Sequence, residues 1–319
     1  MQYASNLRFQ PSEDAPAYLR VRDDDALRLH QTPLFMQMVG GSFVQYKPAG
    51  RRLGPSVRGT ADLPRRLYIR KDDKELAVQD IQVALLDGTM RDMIKSGDQA
   101  QVKLLVVSLF EETLLEPRIA CLAGFKGLVD IFVREYSADE RMLRAFYLVA
   151  GEGYSLAEHS INIMALVMGY GIRKKLPRKK IEELALAALL HDVGKADLPT
   201  SLRQPTHMLS EAEFALYRQH PLNGLKYAPE AEFGPAVAEA VLRHHERTDG
   251  SGYPKGSRQV GLSGQIVGLA DSYDNLTNQQ PASRHRLAPL ETLSLLLQES
   301  RKGKFDEVVL QGFAYSLTK

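Results

Sequence analysis

The chain has a single cysteine, Cys121, among 319 residues, which excludes an intramolecular disulfide framework and fits a reducing compartment. It has no apolar run of the ~18 residues that a membrane-spanning helix needs; the best, residues 104–110 and 184–190, are far shorter. Cations are not in surplus either. Lys and Arg number 41 against 39 Asp and Glu, and the net +2 is too small to argue for a nucleic-acid polymer as partner. The opening Met1-Gln-Tyr-Ala-Ser lacks the charged-then-apolar layout of a secretory signal, and internal repeats and low-complexity segments are missing. These absences leave an ordinary globular chain, 44% hydrophobic and 25% charged, expected in the cytoplasm and long enough for two domains.

Residues 1–95 differ in texture from the rest. Pro11, Pro16, Pro33, Pro48, Pro55 and Pro64 and clustered glycines break them up, and residues 42–46 and 66–70 read as short strands. A small α/β module of sensory or regulatory type is expected here, ahead of a helical region over residues 96–319. Residues 99–150 have helical periodicity, with Pro117 at a first helical position and Ser137-Ala-Asp-Glu140 as a capping box. These helices either bridge the two parts or pack on a second copy in a homodimer. From Ser155 onward helix follows helix: about 155–170, about 178–192, one opening at the capping box Ser210-Glu-Ala-Glu213, one after Gly234-Pro235, and about 263–276. Pro221 biases His220 away from helix. No strand pattern alternates with these segments, so the fold class is mostly α, an all-helical bundle behind a small α/β module.

The chemistry sits in the histidines. Of eight, His159, His191, His220, His244 and His245 fall at the ends or on the inward faces of the expected helices. His30, His207 and His285 read as hydrogen-bonded core residues. Imidazole and carboxylate are the ligands that suit first-row divalent metals. The doublets His191-Asp192 and His244-His245 are more informative than any lone residue, because adjacent helical positions diverge by about 100° at ~3.6 residues per turn. A doublet therefore suits two metals side by side, with Asp192 as the natural bridge. Two ions ~3.5–4 Å apart polarise a phosphodiester and lower the pKa of a shared water. Burying these ionisable groups at the ends of apolar faces without a metal would be costly.

The string around these residues resembles a known family. His191-Asp-Val-Gly-Lys195 is similar to the HD-x-G-K signature of HD phosphohydrolases, and His244-His-Glu-Arg-Thr-Asp-Gly-Ser-Gly-Tyr-Pro254 resembles the HHE-x-x-DG-x-GYP string of the HD-GYP subfamily. Gln219-His220-Pro221, Ala270-Asp-Ser-Tyr-Asp-Asn-Leu-Thr277, His159-Ser-Ile-Asn and Gly303-Lys-Phe-Asp306 with Phe313 match further elements in order, over a core of about residues 125–319. The resemblance implies a phosphodiesterase that hydrolyses cyclic di-GMP to linear pGpG, and onward to GMP, with two divalent ions, iron or manganese. It implies that His159, His191, Asp192 and Asp271 surround one ion and that Asp192, His220, His244 and His245 surround the other. Lys195 would contact the substrate phosphate. The loop carrying Gly252, Tyr253 and Pro254 would take part in guanine-nucleotide recognition and contact a signalling partner.

Three departures from that pattern bear on function. Where some members place a glutamate that holds a third metal, this chain has Ser155, and Glu158 points elsewhere; two metals are expected. Gln204-Pro205-Thr206 stands for K-P-G, and Gln280-Pro281-Ala282-Ser283 for R-P-Y-R, which removes a phosphate-binding arginine that Arg284 or Arg286 would replace. Two rival readings follow: a catalytically weak receptor for cyclic di-GMP, and a phosphohydrolase of another cyclic dinucleotide. The cationic run Arg173-Lys-Lys-Leu-Pro-Arg-Lys-Lys180 reads as a solvated turn rather than a nucleic-acid patch.

Overall fold

The computed structural model describes residues 8–12, 15–53, 63, 64, 66–149, 154–205, 207–278 and 286–318. The chain opens with strands β1 (Phe9–Pro11), β2 (Tyr18–Val21), β3 (Leu34–Gln37), β4 (Phe43–Lys47) and β5 (Leu67–Arg70), with a short helix α1 (Asp23–Ala26) after β2. They form one five-stranded antiparallel sheet in the order β1-β2-β5-β3-β4. Alternation sets its faces. Phe9, Leu19, Val21, Leu67 and Ile69 point into the core, while Tyr18 stacks on Phe43 at 3.9 Å on the opposite face.

The helical part comprises α2 (Lys74–Ala84), α3 (Met90–Lys95), α4 (Gln99–Leu115), α5 (Ile119–Ala138), α6 (Glu140–Leu148), α7 (Leu156–Arg173), α8 (Arg178–Leu190), α9 (Thr200–Arg203), α10 (Glu211–Tyr217), α11 (His220–Tyr227), α12 (Glu230–Phe233), α13 (Pro235–Arg243), α14 (Leu262–Thr277), α15 (Pro289–Arg301) and α16 (Glu307–Ser316). A 3-10 turn, Val193–Asp197, follows α8. The fold is thus mostly helical, with the small antiparallel sheet at its N-terminal side. Helices α4 and α5 bridge the two parts, because α5 packs on both α2 and α8 and α4 packs on α7. Polar ties reinforce the bridge: Arg8 pairs with Asp25 and donates to the Leu105 carbonyl and Ser108 Oγ, and the Phe9 amide donates to Glu112.

Most local signals in the sequence match the elements that form, and a few do not. Strands β4 and β5 and the Ser210–Glu213 capping box are present as expected. At the end of α5, however, the helix runs on through Ser137 and Ala138, and Asp139 caps α6 by accepting the Arg141 amide at 3.0 Å. Pro117 lies outside α5, whose N-cap is Arg118. The bias of Pro221 does not keep His220 out of a helix, since α11 begins at His220. A proline in the first turn removes an amide that has no intrahelical acceptor, so the helix tolerates it.

Two glycines set the spacing that the site needs. A Cβ on Gly194 would lie 2.0 Å from the His220 carbonyl oxygen, so the turn after α8 rests directly on the start of α11. A Cβ on Gly268 would lie 2.1 Å from the His244 carbonyl oxygen, which brings α14 onto the end of α13. Backbone cannot yield as a flexible side chain does. Gly194→Ala should therefore lower the unfolding free energy by ~3 kcal/mol, the upper range for overpacking, as read from chemical denaturation; an unchanged midpoint would refute the close approach.

Candidate metal centre

Seven of the expected side chains meet in one buried site. His159 comes from the first turns of α7, His191 is the C-cap of α8 with Asp192 next to it, and His220 opens α11. His244 is the C-cap of α13, His245 follows it, and Asp271 lies in the third turn of α14. Helix ends suit the doublets because the chain departs there and neighbouring side chains part. Two ligand groups result: His159, His191 and Asp271 in one, and Asp192, His220, His244 and His245 in the other, the donor atoms of each within 4.8 Å of one another.

Asp192 stands between them. Its Oδ2 is 3.3 Å from His191 Nε2 and 3.7 Å from His159 Nε2. Its Oδ1 is 3.1 Å from His220 Nε2 and 3.7 Å from His244 Nε2. One carboxylate oxygen thus faces each group.

The proton positions follow from the backbone. The Nδ1–H of His191 donates to the Ala188 carbonyl (2.7 Å), that of His220 to Tyr217 (2.8 Å), and that of His244 to Ala240 (3.0 Å). On His159, Nδ1 meets Asp274 Oδ2 at 2.8 Å. With Nδ1 occupied, the rings of His191, His220 and His244 turn an Nε2 lone pair inward, which is the form that binds a metal, and His159 aims its Nε2 at Asp271 Oδ1, 3.1 Å away. His191 Nε2, Asp192 Oδ1 and His245 Nε2 are buried without a hydrogen-bond partner. Such orphaned groups are expensive, and convergent lone pairs are satisfied together by a cation. The donor set therefore fits divalent metal ions.

Electrostatics agree with that fit at His220, His244 and His245, while His159 is held protonated by its two carboxylate neighbours. Burial, against the pull of Asp192, pushes the His220 imidazole down to about 4, and burial also lowers His244 and His245, the latter further by the neighbouring His244. Burial also disfavours the charged His159, but hydrogen bonds to Asp271 and Asp274 outweigh it and lift this ring to about 9. Burial opposes ionisation of Asp192, yet Lys195 and His191 hold it well below the usual carboxylate range. Asp271 is likewise held down by His159 and His245 in spite of burial.

Several contributors escaped the sequence reading. Asp274 orients His159, and Tyr154 donates its hydroxyl to Asp274. The spacing of Asp274, three residues after Asp271 on one helical face, was a usable signal. Glu246 accepts the amides of Lys255 (2.7 Å) and Ser257 (2.8 Å) and so closes the loop that carries Gly252, Tyr253 and Pro254. Arg247 donates to the carbonyls of His244 and Glu246 and to Ser272 Oγ, joining this loop to α14.

The remaining expected residues are placed as follows. Lys195 is buried, ion-paired with Asp192 at 2.5 Å and set over the Tyr217 ring. The Tyr253 amide donates to the His245 carbonyl (3.1 Å), and the Tyr253 ring stacks on His245 with centroids 4.5 Å apart. Ser155 caps α7, and Glu158 turns away to Lys103 at 3.7 Å. Gln204 donates to the Tyr154 carbonyl. Arg286 is exposed beside Tyr147, whereas Arg284, Gln280 and His285 lie outside the described residues. His207 is not a core residue: it is exposed and meets Glu213 at 3.1 Å, because Glu213 already sits at the capping box beneath it. In the cationic run, Arg173 pairs with Glu140, Arg178 with Asp130 and Glu182, and Lys180 with Glu183, so three of its six cations are already answered by neighbouring carboxylates. Burial pushes the Cys121 thiol up to about 12, an unreactive state.

Comparison with known proteins agrees with this geometry. The model of the HD domain family matches residues 145–309. The cyclic di-GMP phosphodiesterase response regulator RpfG of Xanthomonas campestris pv. campestris is 32% identical over 263 residues, covering 81% of this chain and 68% of that protein. A cyclic di-GMP phosphodiesterase of Pseudomonas aeruginosa is 29% identical over 57% of this chain, and a 3'3'-cGAMP-specific phosphodiesterase of Vibrio cholerae serotype O1 is 29% identical over 48%. The chain spans 44% of the former's length and 36% of the latter's. An HDG"Y"P protein from Bdellovibrio bacteriovorus has the same fold, with a TM-score of 0.62 at 20% identity, covering 94% of this chain and 99% of its own. Among the described residues no helix is long and apolar enough to cross a membrane.

Because Asp274 fixes the tautomer and direction of His159, Asp274→Asn should weaken metal retention by about 10–100-fold, read by competition with a chelator. His207→Ala, outside the site, should leave retention unchanged. Equal retention in Asp274→Asn and the parent protein would remove Asp274 from the metal centre.

Proposed function

Because the chain belongs to the HD domain family, in its HD-GYP branch, we propose that it is a metal-dependent phosphodiesterase that opens cyclic di-GMP to linear pGpG and then GMP. The observation that carries this reading is the central carboxylate of Asp192, which turns one oxygen to each of two ligand groups. We assign His159, His191, Asp192 and Asp271 to one ion, and Asp192, His220, His244 and His245 to the other, with iron or manganese as the metals. Two such ions would supply the positive charge that polarises a phosphodiester and brings a shared water toward hydroxide near neutral pH.

The chain's own groups do the rest. His191, His220 and His244 keep their Nδ1 protons on backbone carbonyls, so their inward nitrogens stay available without a proton to displace. Burial disfavours the Lys195 charge, but its ion pair with Asp192 outweighs that, so Lys195 keeps its proton and places a fixed positive charge beside the reacting phosphate. Its charge stabilises the negative charge that develops on the phosphate and leaving oxygen. The loop of Gly252, Tyr253 and Pro254, fastened by Glu246, walls the open side next to His245 and contacts the nucleotide. Residues 1–95 form the regulatory module in this reading.

A mixed cyclic dinucleotide is the second reading, favoured by the similarity to a relative named as specific for 3'3'-cGAMP. Protein purified without oxygen and loaded with iron or manganese should bind close to two ions per chain. Given cyclic di-GMP and 3'3'-cGAMP in separate reactions, it should yield pGpG and then GMP from the first at the higher rate. Asp192→Ala should lose both ions and all turnover. Full metal loading with tight binding but no product would identify a receptor, faster cleavage of 3'3'-cGAMP would identify the second reading, and a well-occupied third ion would refute the two-ion assignment.

A further inference from the structure

A cyclic dinucleotide has two phosphates, and a metal pair that holds the scissile one leaves the other to the protein. Chemistry asks for a cation with several donors there, and an arginine fork matches two phosphate oxygens in one plane. Arg218 has the position for it. It ends α10, two residues before His220 and next to Tyr217, the residue over whose ring Lys195 sits. Its guanidinium lies 5.3 Å from the Tyr253 ring centroid and 5.7 Å from that of Phe214. The Tyr253 ring is the one stacked on His245, so Arg218 is a single aromatic ring away from the ligand group.

One feature separates this arginine from an ordinary surface cation. The paired rings hold its planar head in place, which lowers the entropy lost on binding an anion. Among the described residues its side chain makes no hydrogen bond and no ion pair, so its donors are free for an anion. Its donors are exposed and unused at the rim of the centre. We propose that Arg218 binds the non-scissile phosphate of the cyclic dinucleotide, with Phe214 and Tyr253 as its positioning aromatics. This rests on the cyclic-dinucleotide reading of the same site.

The test compares parent, Arg218→Met and Arg218→Lys proteins, all metal-loaded with metal content measured. Equilibrium titration uses a hydrolysis-resistant phosphorothioate analogue of cyclic di-GMP. Turnover of cyclic di-GMP is set against that of bis(4-nitrophenyl) phosphate, which has one phosphate only. Loss of one charge-assisted contact should weaken analogue binding by Arg218→Met about ten- to a hundredfold. The ratio of kcat/KM for cyclic di-GMP over bis(4-nitrophenyl) phosphate should fall by a similar factor. Arg218→Lys, which keeps the charge but not the fork, should fall between. Equal affinity and equal ratio in Arg218→Met would overturn the assignment while leaving the phosphodiesterase reading intact. Loss of metal in Arg218→Met would also overturn it, by making the residue structural. Failure of the parent protein to bind the analogue while it cleaves bis(4-nitrophenyl) phosphate would overturn both readings.

Discussion

The structure turns on one buried anion. Asp192 is almost wholly withdrawn from water, yet it stays ionised because Lys195 pairs with it and imidazoles crowd both of its oxygens. A carboxylate in such a place is costly unless its charge is answered nearby. Lys195 answers part of it. His220 and His244, whose Nδ1 protons are spent on helix carbonyls and which burial keeps from protonating further, bring no full positive charge of their own. An arrangement of this kind has a deficit of positive charge at its centre, and that deficit is what suits it to divalent ions.

Close packing makes the deficit possible. The seven side chains belong to five helices and the turns that end them, and they converge only if those helices approach more closely than ordinary side chains permit. Gly194 against the His220 carbonyl, and Gly268 against the His244 carbonyl, provide the approach. Glu246 and Arg247 then fix the loop beyond His245 to itself and to α14. The site's geometry is thus held by backbone contacts and buried polar groups.

Much of this was legible in order of residues alone. The doublets His191-Asp192 and His244-His245, with His159, His220 and Asp271, were visible as metal-ligating chemistry, and the structure brings all seven together. The helices of the second half were legible because their apolar faces are regular. Helix termini were less so: Ser137 looked like a cap, but packing of α5 carried the helix past it to Asp139. Strands β1 to β3 were missed, being three or four residues long and without a clear alternation of their own. His207 was read as a core residue and lies exposed instead, since nothing in its spacing reports exposure.

What the sequence determined by itself was the inventory: which groups have metal-ligating chemistry, their order along the chain, and the helical nature of the segments that carry them. Those are local properties, set by side-chain chemistry and by periodicity within one element. What only the tertiary structure decided was relation. It turned one oxygen of Asp192 to each ligand group, set Asp274 behind His159, and aligned Arg218 with Tyr253, a residue 35 positions away. Such pairings depend on how helices cross and how near their backbones come, and that is a balance of packing over the whole core rather than a preference of any one segment.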